Sequence, residues 1–121
     1  MIHKVIRVEK IVEQTLLYDF YGELLTEHQR KIYEYVILDD YSLSEVAQDL
    51  GISRQGVHDN VKRCTRILED YENKLHLVEK FVSIKEKIHR IKDLTGNCND
   101  LSKQDLVKEI DTISQEILEE L

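Results

Sequence analysis

The sequence predicts an all-α protein: a small helix-turn-helix bundle of the three-helix or winged-helix type, followed by a long C-terminal helical hairpin. Three observations support this fold class. The 121-residue chain has no proline and only four glycines, its apolar residues recur at helical spacing, and one segment has the pattern of a helix-turn-helix motif. Because proline and glycine are the residues that interrupt helices, their scarcity favours helix along most of the chain.

The first two helices are predicted at about residues 8–22 and 27–38. Thr26 is placed to cap the second of them. The apolar stripe of the first helix contains Val12, Leu16, Leu17, Phe20, Leu24 and Leu25. The inner face of the second is expected to contain Ile32, Tyr35, Val36 and Leu38. Spacings of three and four residues place each set on one side of its helix, so the two helices are expected to pack together.

The helix-turn-helix motif is predicted in residues 42–66, SLSEVAQDLGISRQGVHDNVKRCTR. Ser42 can cap its first helix, and Glu45 three positions later completes a capping box. Gly51 can adopt the left-handed conformation that reverses the chain, because glycine has no Cβ to clash there. Ser53 can then cap the second helix. These signals agree in register, which predicts helices at 43–50 and from 54 onward.

Beyond the motif, the apolar positions alternate in steps of four and three residues, which is a heptad pattern. They are Val57, Val61, Cys64, Leu68, Tyr71, Leu75, Val78 and Val82. No helix-breaking residue follows until the segment 95–100, TGNCND. The fourth helix is therefore expected to run far past the motif, with a bend near Asn73.

The end of the chain predicts a helical hairpin, in which residues 78–94 pair with a last helix that Ser102 caps. We accordingly predict two domains, a helix-turn-helix domain at 1–72 and a C-terminal extension at 73–121. Large aliphatic side chains on the heptad face must be buried, since exposing each one costs roughly 1.5–3 kcal/mol. A homodimer that shares this face is the favoured arrangement, and a monomer with a closed hairpin is the alternative.

Charge is distributed unevenly along the chain, whose formal net charge is −7. Residues 23–52 and 96–121 are acidic, whereas residues 53–75 carry five cations and four acidic residues. Non-specific affinity for nucleic acid grows with the number of phosphates that cations neutralise. An acidic chain with one mildly basic stretch is therefore suited to a small, oriented contact or to a protein partner.

The outward side of the fourth helix carries residue types that read nucleic acids. Arg can pair with guanine, and Gln and Asn with adenine. The predicted nucleic-acid-binding residues are Arg54, Gln55, His58, Asn60, Lys62 and Arg63. Among them, Lys62 and Arg63 are the expected phosphate contacts. An ordinary solvated helix face is the alternative interpretation of the same residues.

Nothing in the sequence indicates catalysis, a cofactor or a bound metal. The five histidines lack paired ligand spacing with each other or with the two cysteines. No glycine-rich phosphate loop or nucleophile elbow is present. The N-terminus lacks a long uncharged apolar run, and no stretch approaches the length of a membrane span. We therefore expect a non-enzymatic cytoplasmic protein without membrane insertion, in which Cys64 fills the core.

Two resemblances follow from these motifs. The segment LLTEHQRKIYEYVILDDYSLSEVAQDLGISRQGVHDNVKRCTRIL resembles region 4 of bacterial sigma factors, the module that reads promoter DNA. Residues 16–82 are more specifically similar to the YlxM family of bacterial helix-turn-helix proteins, through the DFY cluster, LDDYSLSEVA, SRQGVHDNVKR and LEDYENKL. This chain departs from the family pattern at Gly56 and His58, where the family tends to have Ala and Tyr.

The resemblance to the YlxM family implies a role in co-translational protein targeting. The family's genes are typically found beside those of the signal recognition particle, its GTPase and its receptor. The implied partners are the RNA of the particle and its GTPase. Two other functions remain open: a dimeric transcription regulator that binds duplex DNA, and a protein-interaction module whose recognition helix is vestigial.

Overall fold

The computed structural model describes the backbone of residues 2–121 and the side chains of residues 9–97 and 99–121. Six α-helices were found in this part of the chain: α1 (Ile2–Tyr21), α2 (Glu27–Tyr33), α3 (Leu43–Leu50), α4 (Arg54–Leu75), α5 (Leu77–Gly96) and α6 (Lys103–Glu120). The chain divides into two compact units, a bundle that ends at His76 and a hairpin, Leu77–Leu121. The all-α prediction is confirmed: residues 2–121 contain no β-strand, so the bundle has no wing, and it consists of the four helices α1–α4.

Helix α1 begins well before the predicted start at residue 8 and ends in a 3-10 turn at Gly22–Leu24. Its packing side holds Leu17 and Tyr21, both buried. Tyr21 donates a hydrogen bond of 2.6 Å from its hydroxyl to the Glu72 carboxylate of α4, and the two helices are thereby joined at this end. Val12 and Leu24, which the apolar stripe placed inside, are 52% and 55% exposed, so that part of the prediction was wrong.

Helix α2 begins at the predicted capping residue and ends in a wider turn. Thr26 and Gln29 form a reciprocal capping box, with N···O distances of 3.2 and 2.9 Å. The last turn, Glu34–Leu38, is a π-helical turn that closes with a 2.9 Å bond from the Asp39 amide to the Glu34 carbonyl. The extra residue in this turn explains why Leu38, expected on the inner face, is exposed.

The helix-turn-helix motif closes with the predicted caps and turn, although Glu45 takes part in its cap through the backbone amide and not through the reciprocal side-chain bond of a capping box. The Ser42 hydroxyl accepts a hydrogen bond from the Glu45 amide at 3.1 Å, and the Ser53 hydroxyl accepts one from the Gly56 amide at 2.9 Å. Between the two caps, Gly51 has a φ of 68°, the left-handed conformation that turns the chain. A core beneath the motif fixes the angle between its helices, and its buried members are Ile32, Val46, Ala47 and Val57.

Helix α4 continues nine residues past the motif and ends at Leu75, so the expectation that it runs on far beyond this point with only a bend near Asn73 was wrong. His76 adopts a left-handed conformation with a φ of 56°, and its amide bonds to the Glu72 carbonyl at 2.8 Å. The heptad pattern therefore spans two helices. Leu75 and Val82 are 49% and 38% exposed, so the predicted heptad face is not buried at these two positions.

The hairpin pairs α5 with α6 through a 3-10 turn at Cys98–Asp100. Ser102 caps α6 as predicted, accepting a bond of 3.1 Å from the Asp105 amide. Ile113 is buried between the helices. Glu120 of α6 accepts hydrogen bonds from Lys87 and Ser83 of α5, which hold the two helices together at the open end of the hairpin. The same hydrogen bonds lower the pKa of the Glu120 carboxyl.

No helix in the part of the chain that the structure describes combines the length and the apolar character needed to cross a lipid bilayer.

Candidate nucleic-acid interface

The motif orients the first half of α4 so that its polar side faces outward. Val57, Cys64 and Leu68 are buried on the opposite side of the helix and anchor it to the bundle. The Cys64 thiol is one of these core groups, as predicted, and burial raises its pKa. Because the anchored residues recur at helical spacing, the side chains between them are held in fixed directions.

Five of the six predicted nucleic-acid-binding residues are exposed: Arg54, Gln55, His58, Lys62 and Arg63. Arg54, Gln55 and His58 together line a shallow pocket with Leu43 of α3, where the two motif helices meet. These residues therefore lie on the side of the motif that would approach a base edge or a phosphate group.

Asn60, the sixth predicted residue, lies elsewhere. Its side chain is half-buried, and its amide donates a 2.8 Å hydrogen bond to the Gly56 carbonyl one turn earlier. At 3.6 residues per turn, Asn60 is about 160° around the helix from His58. The structure thus brings Arg54, Gln55, His58 and Lys62 together and separates Asn60 from them.

Asp59 lies within the exposed face and engages two of the predicted residues. Its carboxylate accepts a 3.0 Å hydrogen bond from the Gln55 side chain, and it lies 3.7 Å from Nδ1 of His58. The sequence placed Asp59 on the outer side, but we did not include it among the binding residues. The Asp59 carboxylate orients the Gln55 side chain and lowers the net positive charge of the exposed face of α4 by one unit.

A groove between α1 and α4 extends the cationic surface beyond the predicted residues. It has a volume of about 400 Å³, and its lining consists of Lys10, Gln14, His58, Val61, Lys62, Thr65, Arg66 and Glu69. Lys10 and Arg66 were not among the predicted binding residues. Helical spacing from Lys62 could have identified Arg66, whereas Lys10 comes from a different helix and is brought here only by the fold.

An adjoining part of the motif is acidic. Glu45 and Asp49 of α3, together with Tyr35, Val46 and Tyr41, line a pocket of about 330 Å³ that contains no cation among its lining residues. A second groove on this side of α1 contains Asp40 and Glu45 beside Lys10. The bundle therefore presents a cationic flank along α4 and an acidic flank along α3.

A closed helix-turn-helix motif with an exposed, mixed polar second helix defines a helix-turn-helix protein. Comparison with known families agrees. Residues 8–117 match the family model UPF0122, described as "Putative helix-turn-helix protein, YlxM / p13 like". This match covers most of the chain, and the chain belongs to that family.

Three relatives illustrate the extent of the similarity. The chain is 43% identical to a UPF0122 protein of Geobacillus over 108 residues, which are 88% of this chain and 98% of the relative. It is 40% identical to one of Acetivibrio thermocellus over 116 residues, 93% of this chain and 99% of the relative. A UPF0122 protein of Caldanaerobacter subterraneus subsp. tengcongensis is 56% identical over 79 residues, 65% of this chain and 68% of the relative.

Proposed function

We propose that this chain is a non-enzymatic regulatory protein that binds nucleic acid through the exposed polar side of α4. The observation that carries the proposal is the exposure of Arg54 and Lys62 on one side of α4, in a motif whose two caps and left-handed glycine hold α4 rigid. Arg63 is also exposed, about 100° around the helix from Lys62. Rigid presentation matters because base and phosphate contacts are directional. Membership of a helix-turn-helix family supports the same class of function.

The proposed target is the RNA of the signal recognition particle, in the cytoplasm, with the GTPase of the particle as a further partner. The support for this choice is the similarity of residues 16–82 to the YlxM family, whose genes accompany those of the particle. The formal net charge of −7 also favours a defined RNA over random DNA, because an acidic chain gains little from non-specific phosphate attraction.

We also propose that two copies of the chain associate through the hairpin. The support is a set of exposed aliphatic side chains on α5, on α6 and at the residue that follows α6: Ile88, Val107, Leu118 and Leu121. Burying them against a second copy would remove apolar surface from water, which stabilises at about 25 cal/mol per Å². Two-fold pairing would also place two α4 helices in one assembly, an arrangement common in helix-turn-helix proteins.

Binding of the purified chain to labelled particle RNA, compared with random duplex DNA at increasing salt, tests the RNA proposal. The variant Arg54→Ala/Lys62→Ala/Arg63→Ala removes three cations from α4, whereas Lys92→Ala/Lys103→Ala/Lys108→Ala removes three exposed cations from the hairpin. We expect the α4 variant to weaken RNA binding roughly tenfold or more at low salt, and the hairpin variant to bind nearly as wild type.

Three outcomes would contradict this function. Absence of nucleic-acid binding at every salt concentration would favour the protein-interaction module, and capture of the GTPase in nuclease-treated samples would identify its partner. Preference for a palindromic DNA duplex over the RNA would favour the transcription regulator instead. Equal loss of affinity in the two triple variants would show that net charge, and not the α4 surface, controls binding.

A further inference from the structure

The groove between α1 and α4 has the charge and shape of a phosphate-binding surface. Three cations line it, Lys10, Lys62 and Arg66, against one carboxylate, Glu69, which gives a formal net charge of +2 with His58 neutral. The whole chain has a formal net charge of −7, so the groove is a positively charged region on a chain that is negatively charged overall. A polyanion that approaches this chain is attracted to such a region first.

The cations are arranged along the groove in a way that suits a repeating anion. His58, Lys62 and Arg66 are spaced four residues apart on α4, so each lies about 6 Å farther along the helix axis than the one before. Lys10 faces them from α1 across the groove. Cations on both walls can contact successive phosphates of one strand, whereas a single helix face can contact only one edge of it.

The acidic flank of the motif makes the usual docking geometry unfavourable. In many helix-turn-helix proteins the second helix enters the major groove while the first crosses the sugar-phosphate backbone. Here the corresponding helix, α3, presents Glu45 and Asp49 beside a pocket whose lining holds no cation. Glu45 and Asp40 also line a second groove, where their two carboxylates outnumber the one cation of Lys10. Carboxylates at that place repel phosphates, so the backbone is directed to the other side of α4.

We propose that the α1–α4 groove is the contact surface for one phosphodiester strand of a double-helical nucleic acid, with Lys10 and Arg66 acting beside Lys62, while the α3 flank faces away. The proposal rests on the nucleic-acid binding proposed above. It adds two residues from outside the predicted recognition set and assigns a direction to the docked duplex. DNA and RNA share the phosphate chemistry, so separate probes are needed to distinguish them.

The test uses the full chain with a labelled DNA duplex and an RNA duplex of equal length, with affinity measured across a range of salt. Lys10→Ala/Arg66→Ala removes the two newly assigned contacts. Lys74→Ala/Lys103→Ala is the matched control, because both lysines are exposed and neither lines the groove. The groove variant is expected to lose roughly tenfold in affinity at low salt and about 0.9 in salt-dependence slope for each cation on B-form DNA. Circular dichroism checks that both variants remain helical.

The failure of this proposal can be distinguished from failure of the proposed function. One result would overturn the groove assignment and leave the proposed function standing. In that result the wild type binds and the α4 triple variant loses binding, but the groove variant behaves like its control. If wild type binds neither duplex nor the particle RNA, both fail. The additional variant Glu45→Gln/Asp49→Asn is expected to leave the salt dependence of binding unchanged. A marked gain in its affinity for the duplex would place the phosphates against α3 and overturn the proposed direction of docking.

Discussion

The bundle that ends at His76 and the hairpin Leu77–Leu121 are both built from long amphipathic helices, but they bury their apolar side chains to different extents. Of the described side chains, those buried in the bundle are Leu17, Tyr21, Leu25, Ile32, Tyr33, Val46, Ala47, Val57, Cys64 and Leu68, and those buried in the hairpin are Val78 and Ile113. The bundle therefore has an extensive core of its own. The hairpin leaves Val107 and Leu118 more than half exposed, which suits a surface that a partner covers.

The largest expected effect comes from removing a side chain at the centre of the bundle. Ile32 is 0% exposed and packs in the core beneath the motif. Ile32→Ala should lower the free energy of unfolding by about 2–5 kcal/mol, because it removes buried methyl groups and leaves a cavity. Urea denaturation measures the loss. In the hairpin, Val107→Ala is the comparison, with an expected change within about 0.5 kcal/mol; equal losses at both positions would remove the contrast between the units.

The second prediction concerns association. Val107→Lys/Leu118→Lys places two charges among the exposed aliphatics of α6 and should convert the proposed dimer into a monomer, because charged side chains oppose burial of that face. Sedimentation equilibrium measures the mass. The control Gln104→Lys/Gln115→Lys adds the same charges at exposed polar positions of the same helix and should remain dimeric. A wild-type protein that sediments as a monomer at all concentrations would refute the homodimer.

The third prediction follows from two tyrosines of the bundle, Tyr18, which is half-buried, and Tyr33, which is buried. Burial, together with the hydrogen bond to Glu34, raises the pKa of Tyr18 to about 12, and burial raises the pKa of Tyr33 further. The unfolded chain releases these protons near pH 10, before the folded chain does. The stabilisation is therefore complete below pH 10 and is lost as the pH rises toward 12.

Stability measured by denaturant titration at several alkaline pH values tests this prediction. Tyr18→Phe/Tyr33→Phe should be less stable than wild type at neutral pH, because it loses the bonds to Glu34 and to the Gln14 carbonyl. Its stability should then fall less steeply above pH 10. Tyr41→Phe, at an exposed ring, is the control and should keep the wild-type slope. An unchanged slope in the double variant would show that other groups cause the alkaline loss.

The smallest predicted effect is a comparison of two glycines. Gly51 has a φ of 68°, so Gly51→Ala should cost about 1 kcal/mol even though nothing lies within 4 Å of the added Cβ. Gly96 ends α5 and also has open space around it, so Gly96→Ala should be neutral or stabilise by up to about 1 kcal/mol. Thermal unfolding measures both changes. A Gly51→Ala variant as stable as the wild type would contradict the left-handed turn at Gly51, and a Gly96→Ala variant that loses as much stability as Gly51→Ala would contradict the contrast.

The local signals of the sequence predicted most of the fold. The caps at Thr26, Ser42, Ser53 and Ser102 all form, because a side-chain hydroxyl and the amide three residues later are close in any helix start. The end of α4 was not predicted. His76 adopts a left-handed conformation that non-glycine residues rarely take, so neither propensity nor heptad spacing indicates it.

The candidate interface was predicted only in part, for a similar reason. Exposure of Arg54, His58 and Lys62 follows from their spacing relative to the buried valines, which a sequence displays directly. Lys10 is 52 positions away from Lys62 along the chain, and only the packing of α1 on α4 places both on one groove. Asn60 was included among the predicted contacts for its polarity, whereas its half-buried amide bonds to the Gly56 carbonyl.

Amide chemical-shift mapping during titration with labelled RNA tests the central claim most directly, since it reports which part of the surface docks. The account predicts that perturbed resonances concentrate in residues 54–66 of α4 and residues 10–14 of α1, while α3 amides near Glu45 and Asp49 change little. Perturbations confined to the acidic flank or to the hairpin would contradict it, as would a spectrum that RNA leaves unchanged.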